Sequence, residues 1–178
     1  NDQLPSPPHL PKTHISEFHY AVRSSLPPQL LPIAPIDEVA RAIGANVASL
    51  IRDGDCVETG IGAIPNAALA ALYDRNDLGV HSGMISDGVM ALAKAGVITG
   101  RMKTLDQGKI VTGFVAGSLA AMQWAGQCPQ IAYKTVDYTH DVGLLGRIDN
   151  FVAINSAVEV DLLGQLNSEM VAGRQISG

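Results

Sequence analysis

The stretch from Gly54 to Ala67 constrains the fold of this chain more than any other. A β-prone run, Cys56-Val57-Glu58-Thr59, passes straight into Gly60-Ile61-Gly62, and an alanine-rich segment opening at Pro65 follows. The order reads as strand, tight glycine loop and helix. Proline is tolerated in the first turn of a helix because its missing N–H would have no partner there. Backbone N–H groups left free at such a junction face outward and suit an anion or a developing oxyanion.

The alternation continues. Leu78–Ser82 reads as a strand and Ser86–Ala95 as a helix, with Ser86 as N-cap and Gly96 beyond its end. Lys109–Val115 reads as a strand, Ser118–Ala125 as a helix and Gln130–Val136 as a strand. Ahead of the glycine loop, Val39, Ile43, Val47, Leu50 and Ile51 recur at helical spacing, and Gly54 closes that element. The expected fold is therefore α/β, a mainly parallel sheet with flanking helices. At the end of the chain, Phe151–Asp161 and Gln165–Val171 read as two strands of a C-terminal β-hairpin around Leu163-Gly164.

Residues 1–35 are of another kind. Eight of the ten prolines fall there, which reads as a linker or an extended wrap. Inside it, Ile15–Val22 alternates like a strand. Residues 1–35 are expected to be a linker and the end of a preceding domain, and residues 36–178 a second domain truncated at its C-terminus. The chain opens on Asn1 and stops at Gly178, and is expected to be part of a longer protein.

Composition excludes several function classes. A 47% hydrophobic chain of 178 residues has material for one sizeable core. A net charge of −5 argues against nucleic-acid or anionic-membrane partners. No apolar run approaches a membrane span. Two cysteines, Cys56 and Cys128, fit a reduced, cytoplasmic setting better than a disulfide framework.

The motifs are weighed in the same way. Gly60-Ile61-Gly62 alone is read either as a ligand loop or as a turn needing glycine for backbone reasons. A dinucleotide loop wants a third glycine where Pro65 stands, and a phosphate-binding loop ending in Gly-Lys-Ser/Thr is absent. His9, His14, His19, His81 and His140 show no metal-ligand spacing, so no metal is expected. His81, beside Ser82 at a strand end, is read either as a ligand contact or as a half-buried histidine satisfied by backbone. Glu58 lies in a strand expected to be buried on both faces. It either has a task or is a hydrogen-bonded strand-end acid. Asn155, Glu159, Asp161, Gln165 and Asn167 read mainly as the solvated face of the tail hairpin.

Several separated motifs together resemble the acetyl-CoA hydrolase/transferase family of CoA-transferases. They are Gly60-Ile61-Gly62-Ala63-Ile64-Pro65-Asn66-Ala67, then Gly79-Val80-His81-Ser82 with Met84 and Ser86-Asp87-Gly88, then Lys109–Thr112, Asp137-Tyr138, Val152–Leu162 and Gly173–Gly178. The resemblance covers nearly the whole chain. It implies an open, Rossmann-like fold and an acyl-CoA:carboxylate CoA-transferase that works through a glutamyl-CoA intermediate. Coenzyme A is then a substrate, and no tightly bound cofactor is expected. The implied partners are acyl-CoA, a small carboxylate, the first domain of the same polypeptide and further copies in a homo-oligomer. The implied binding residues are Gly60, Ile61, Gly62, His81, Ser82, Met84 and Asn155. In relatives the last residues run on into another glycine-rich active-site loop.

One departure bears on the chemistry. The family's nucleophilic glutamate stands between the equivalents of Ser82 and Met84, where this chain has Gly83. Glycine forms no anhydride. Either the site is inactive but binds, or the nucleophile has moved to Glu58, where relatives usually carry an amide, or the acid comes from elsewhere in the full protein. Adjacent strand ends line one crevice about 5 Å apart, which favours Glu58. An acyl-CoA hydrolase and a silent acyl-CoA-binding protein are the alternative readings.

Overall fold

The computed structural model describes residues 3–7, 10, 12–33 and 35–176. His9 and the last two residues of the Gly173–Gly178 motif lie outside them. The first long element is helix α1 (Glu38–Leu50), whose N-cap Asp37 accepts a 2.7 Å hydrogen bond from the Ala40 N–H. Gly54 lies in the turn after it, at φ 81°.

Strands and helices then alternate: β1 (Cys56–Thr59), α2 (Ala63–Ala70), β2 (Gly79–Ile85), α3 (Asp87–Lys94), β3 (Ile110–Val115), α4 (Leu119–Gln127) and β4 (Ile131–Tyr133). Two short helices, α5 (Val136–Thr139) and α6 (Val142–Leu145), lead to β5 (Phe151–Ile154). The five strands form one wholly parallel sheet in the order β4-β3-β2-β1-β5. The chain steps outward from β1 to β4 and then returns to the far side of β1. The topological switch point therefore lies between β1 and β5, where an open α/β sheet forms its ligand crevice.

The core follows from the register. Val57, Val80, Ile110 and Ile131 stand level across four strands. They pack with Leu69, Leu72, Val89 and Leu92 of the α2–α3 layer in one buried cluster. Burial of each such side chain stabilises by about 1.5–3 kcal/mol. At the amino edge, buried Lys103 ties two strands together, its Nζ donating to the carbonyls of Val80 (3.0 Å) and Lys109 (2.9 Å). Desolvation holds its pKa below the usual lysine value.

Three expectations change. Ile15–Val22 is not a strand. Ile15–Glu17 is a 3-10 turn, closed by the His14 ring accepting from Ser16 N–H and the Glu17 carboxylate accepting from His14 N–H. The run Phe151–Asp161 divides. Its apolar first part pairs with β1 from Cys56↔Phe151 to Thr59↔Ile154 and joins the main sheet. Only Glu159–Val160 (β6) and Leu166–Asn167 (β7) make the hairpin. A second ribbon, Met170–Val171 (β8) with Arg174–Gln175 (β9), follows it. No helix among the described residues is long and apolar enough to cross a membrane.

Candidate functional site

The register sets up an unusual row at the carboxyl ends of the strands. Val57↔Val80 brings Gly60 level with Gly83, and Ser82↔Thr112 with Met84↔Phe114 brings Gly113 level with Gly83. Thr59↔Ile154 and Thr112↔Tyr133 place Asn155 at one end of the row and Lys134 at the other. Three strands in succession thus present glycine at the same level. The spacing is close: a Cβ on Gly113 would lie 2.7 Å from the Gly83 carbonyl oxygen, and one on Gly60 would lie 3.0 Å from Asn155 Oδ1.

This strip floors a cavity of about 440 Å³. Glu58, Gly60, Gly83, Met84 and Asn155 line it, as do Lys134 and His140. The Glu58 carboxylate is half-buried, and its Oε2 accepts a 3.1 Å hydrogen bond from Asn155 Nδ2. Desolvation raises its pKa above the usual glutamate value. The Asn155 bond and the charge of His140 oppose that rise. A carboxylate so placed is partly stripped of water and held in one orientation, which is what a nucleophilic carboxylate needs.

Other residues singled out from the sequence fall elsewhere. Ile61 and Gly62 line a second cavity of about 600 Å³ over α2 and α3, mostly apolar, where the Ser86 Oγ is buried without a hydrogen-bond partner. His81 is fully buried, stacked on Tyr138 at 5.9 Å and edge-on to Phe151 at 6.5 Å. Burial, then the nearby Lys103 charge, holds its pKa below the usual histidine value, so it packs as a neutral ring. Ser82 is also buried, its Oγ donating to the Thr59 carbonyl at 3.4 Å. Neither His81 nor Ser82 lines either cavity. The Gly60 N–H is taken by the Ile154 carbonyl at 3.2 Å, so it is not a free donor.

Sequence reasoning missed Gly113, Lys134 and His140. The signal for His140 was its place in the crossover that returns the chain to the switch point. The signal for Gly113 and Lys134 was the register itself, which becomes readable only once the strands are paired. Among the described residues no group of three or more His, Cys, Asp or Glu is placed to hold a metal ion.

Fold and crevice define a parallel α/β protein with a candidate site at the carboxyl ends of the strands. Comparison with known proteins narrows the class. Residues 117–178 match the acetyl-CoA hydrolase/transferase C-terminal domain. The chain is 46% identical over 167 residues to a 4-hydroxybutyrate coenzyme A transferase of Clostridium kluyveri, covering 93% of this chain and 38% of that protein. It is 37% identical over 177 residues to a succinyl-CoA:cyclohexane-1-carboxylate CoA transferase of Geobacter metallireducens, covering 96% of this chain and 40% of that one. Among solved structures, a 4-hydroxybutyrate CoA-transferase from Porphyromonas gingivalis superposes with a TM-score of 0.81 at 39% identity, over 86% of this chain and 39% of that one. RipA from Yersinia pestis superposes at 0.84 and 36% identity, over 88% of this chain and 36% of that one. The chain belongs to the acetyl-CoA hydrolase/transferase family. It spans about two fifths of the length of the curated relatives named here.

Proposed function

We propose that this chain forms one part of an acyl-CoA:carboxylate CoA-transferase, with Glu58 as the nucleophile. The observation that carries the reading is the Glu58 carboxylate, half-buried and clamped by Asn155, beside the side-chain-free strip in one cavity. Glu58 Oε attacks the thioester carbonyl carbon. A C–O bond forms, the C–S bond breaks, and CoA leaves as a thiolate. The product is a mixed anhydride. The thiolate then attacks the Glu58 carbonyl carbon of that anhydride, expelling the donor's carboxylate and leaving a glutamyl-CoA thioester. An incoming carboxylate runs both steps in reverse. Each covalent intermediate is already activated, which turns one hard exchange into easier ones.

The substrates are acyl-CoA and a small carboxylate, with coenzyme A as the carried group. Residues 36–178 act as the second catalytic domain, and residues 1–35 as the link to a first domain of the same polypeptide, within a homo-oligomer. The exposed apolar side chains of Phe18, Tyr20 and Val22 support that division, because together they offer an apolar run to a neighbouring domain. Both cysteines are free and buried, which fits the reducing cytoplasm.

The test is adduct trapping in the intact polypeptide. Incubation with acetyl-CoA and then hydroxylamine should yield a hydroxamate at Glu58, and Glu58→Gln should abolish it while CoA still binds. Gly83 favours a second reading, a silent acyl-CoA-binding protein. That reading replaces the first if Gly83→Glu creates activity and Glu58→Gln leaves it untouched.

A further inference from the structure

We infer that His140 is a further catalytic residue of this crevice: its imidazole, lying on the glycine strip, donates from Nε2 to the carbonyl oxygen of an acyl thioester placed there for attack by Glu58. The inference rests on the CoA-transfer reading above.

Position is the first argument. A Cβ built on Gly83 would run into His140 Cε1 and stand 3.0 Å from Nε2 and 3.6 Å from Nδ1. The ring thus lies against bare β2 backbone, in the space a side chain at 83 would enter.

Orientation is the second. Nδ1 pairs with Thr139 Oγ1 at 2.8 Å, and Thr139 is buried. With the threonine hydroxyl as donor, the neutral ring carries its proton on Nε2, the nitrogen nearer the strip.

The third argument is supply. The outer N–H groups of the floor are already taken, Gly60 N–H by Ile154 and Lys134 N–H by Thr112 at 2.9 Å. An oxyanion over the strip is best served by a donor from above: His140 lines that cavity, and the Lys134 ammonium, which also lines it, lies 4.8 Å over the Tyr138 ring.

The step balances without proton transfer. As the Glu58 C–O bond forms, the carbonyl π electrons move onto oxygen, and the Nε2–H hydrogen bond stabilises that oxyanion. Its collapse breaks the C–S bond and releases the CoA thiolate.

The experiment is exchange between acetyl-CoA and butyrate by the intact polypeptide, together with hydroxylamine trapping. His140→Ala should lower kcat by about 100-fold, the usual effect of removing one oxyanion donor. KM for acetyl-CoA should stay within about threefold, and adduct formation should slow by the same factor as kcat. His140→Gln keeps an N–H and should recover about tenfold of the loss, which a merely structural role does not explain. A His140→Ala variant within twofold of the parent overturns the inference, as does a raised KM at unchanged kcat. An adduct that forms in the parent and at the same rate in His140→Ala removes only this role. No adduct in the parent itself removes the CoA-transfer reading and this role together.

Discussion

Position 58 holds a carboxylate where the sheet offers little water, and its protonation is coupled to folding. Its pKa in the fold lies above the ordinary glutamate value, chiefly through desolvation. Folding therefore favours the protonated form. That contribution is fully present at low pH and is lost as pH rises through the folded midpoint. Glu58→Gln should accordingly stabilise the protein at pH 7, by under about 1 kcal/mol given the partial exposure of the group, and leave stability at pH 4 unchanged. Urea unfolding at the two pH values measures this, and a variant less stable than the parent at pH 7 contradicts it. Cys56 gives a second residue-scale test. Burial pushes its thiol up to about 11, with Lys103 opposing. The thiolate is the reactive form. Iodoacetamide at pH 8 should therefore leave Cys56 unlabelled in the native protein and label it fully in 6 M guanidinium. Mass spectrometry of the Cys56 peptide reads the difference, and rapid native labelling would contradict it.

At the scale of elements, α1 and α2 meet backbone to backbone. A Cβ on Gly44 would lie 2.5 Å from the Ala67 carbonyl carbon and 2.8 Å from the Ala67 Cβ. Alanine at a helix interior gains about 1 kcal/mol over glycine in propensity, but here it forces two helices apart. Gly44→Ala should lower stability by a net 1–3 kcal/mol or so, read from the chemical-denaturation midpoint. A stabilised variant would show that the helices separate freely. Element by element, much of the fold was legible in the sequence. The β1–α2 junction and the helix from Asp37 rest on local rules, and local rules hold there, whereas Ser86 stands at the N-cap of α3 without its side chain making the capping bond. Phe151–Ile154 was misassigned because its polar continuation, Asn155 to Asp161, looks like the same strand. Only pairing with β1 separates the two parts. The site was half legible for the same reason. Glu58 stood out by residue type and Gly83 by the resemblance; Asn155, read as hairpin surface apart from the resemblance, lines the cavity, and Gly113, Lys134 and His140 gain meaning from register and from the crossover. Ile61 and His81 were site residues by the resemblance, but the bend after β1 carries Ile61 to the other cavity, and His81 is buried in the packing around Tyr138.

For the whole molecule, the contrast is between a dense sheet and an exposed N-terminal run. Tyr20 and Val22 are 90% and 88% exposed, and residues 18 to 33 form no helix or strand. Leu31 is one point where the run touches the sheet layer, its N–H donating to the Gly117 carbonyl at 3.2 Å. Limited chymotrypsin digestion should cut first at Phe18 and Tyr20 and leave a resistant product that starts near residue 21. Protection of both sites in this chain would show that the run packs on itself or on a second copy.

The glycine strip has one more consequence, and it concerns measurement. A floor made only of backbone raises no bump of its own, and the side chain that rests on it at Gly83 is the His140 ring. Whatever lies on that floor is gauged by thickness and by where its ends fall. Adjacent strands are about 4.8 Å apart, so Asn155 and Lys134, four strand steps from each other across the row, stand about 19 Å apart. The sheet itself becomes a ruler with strand-wide divisions.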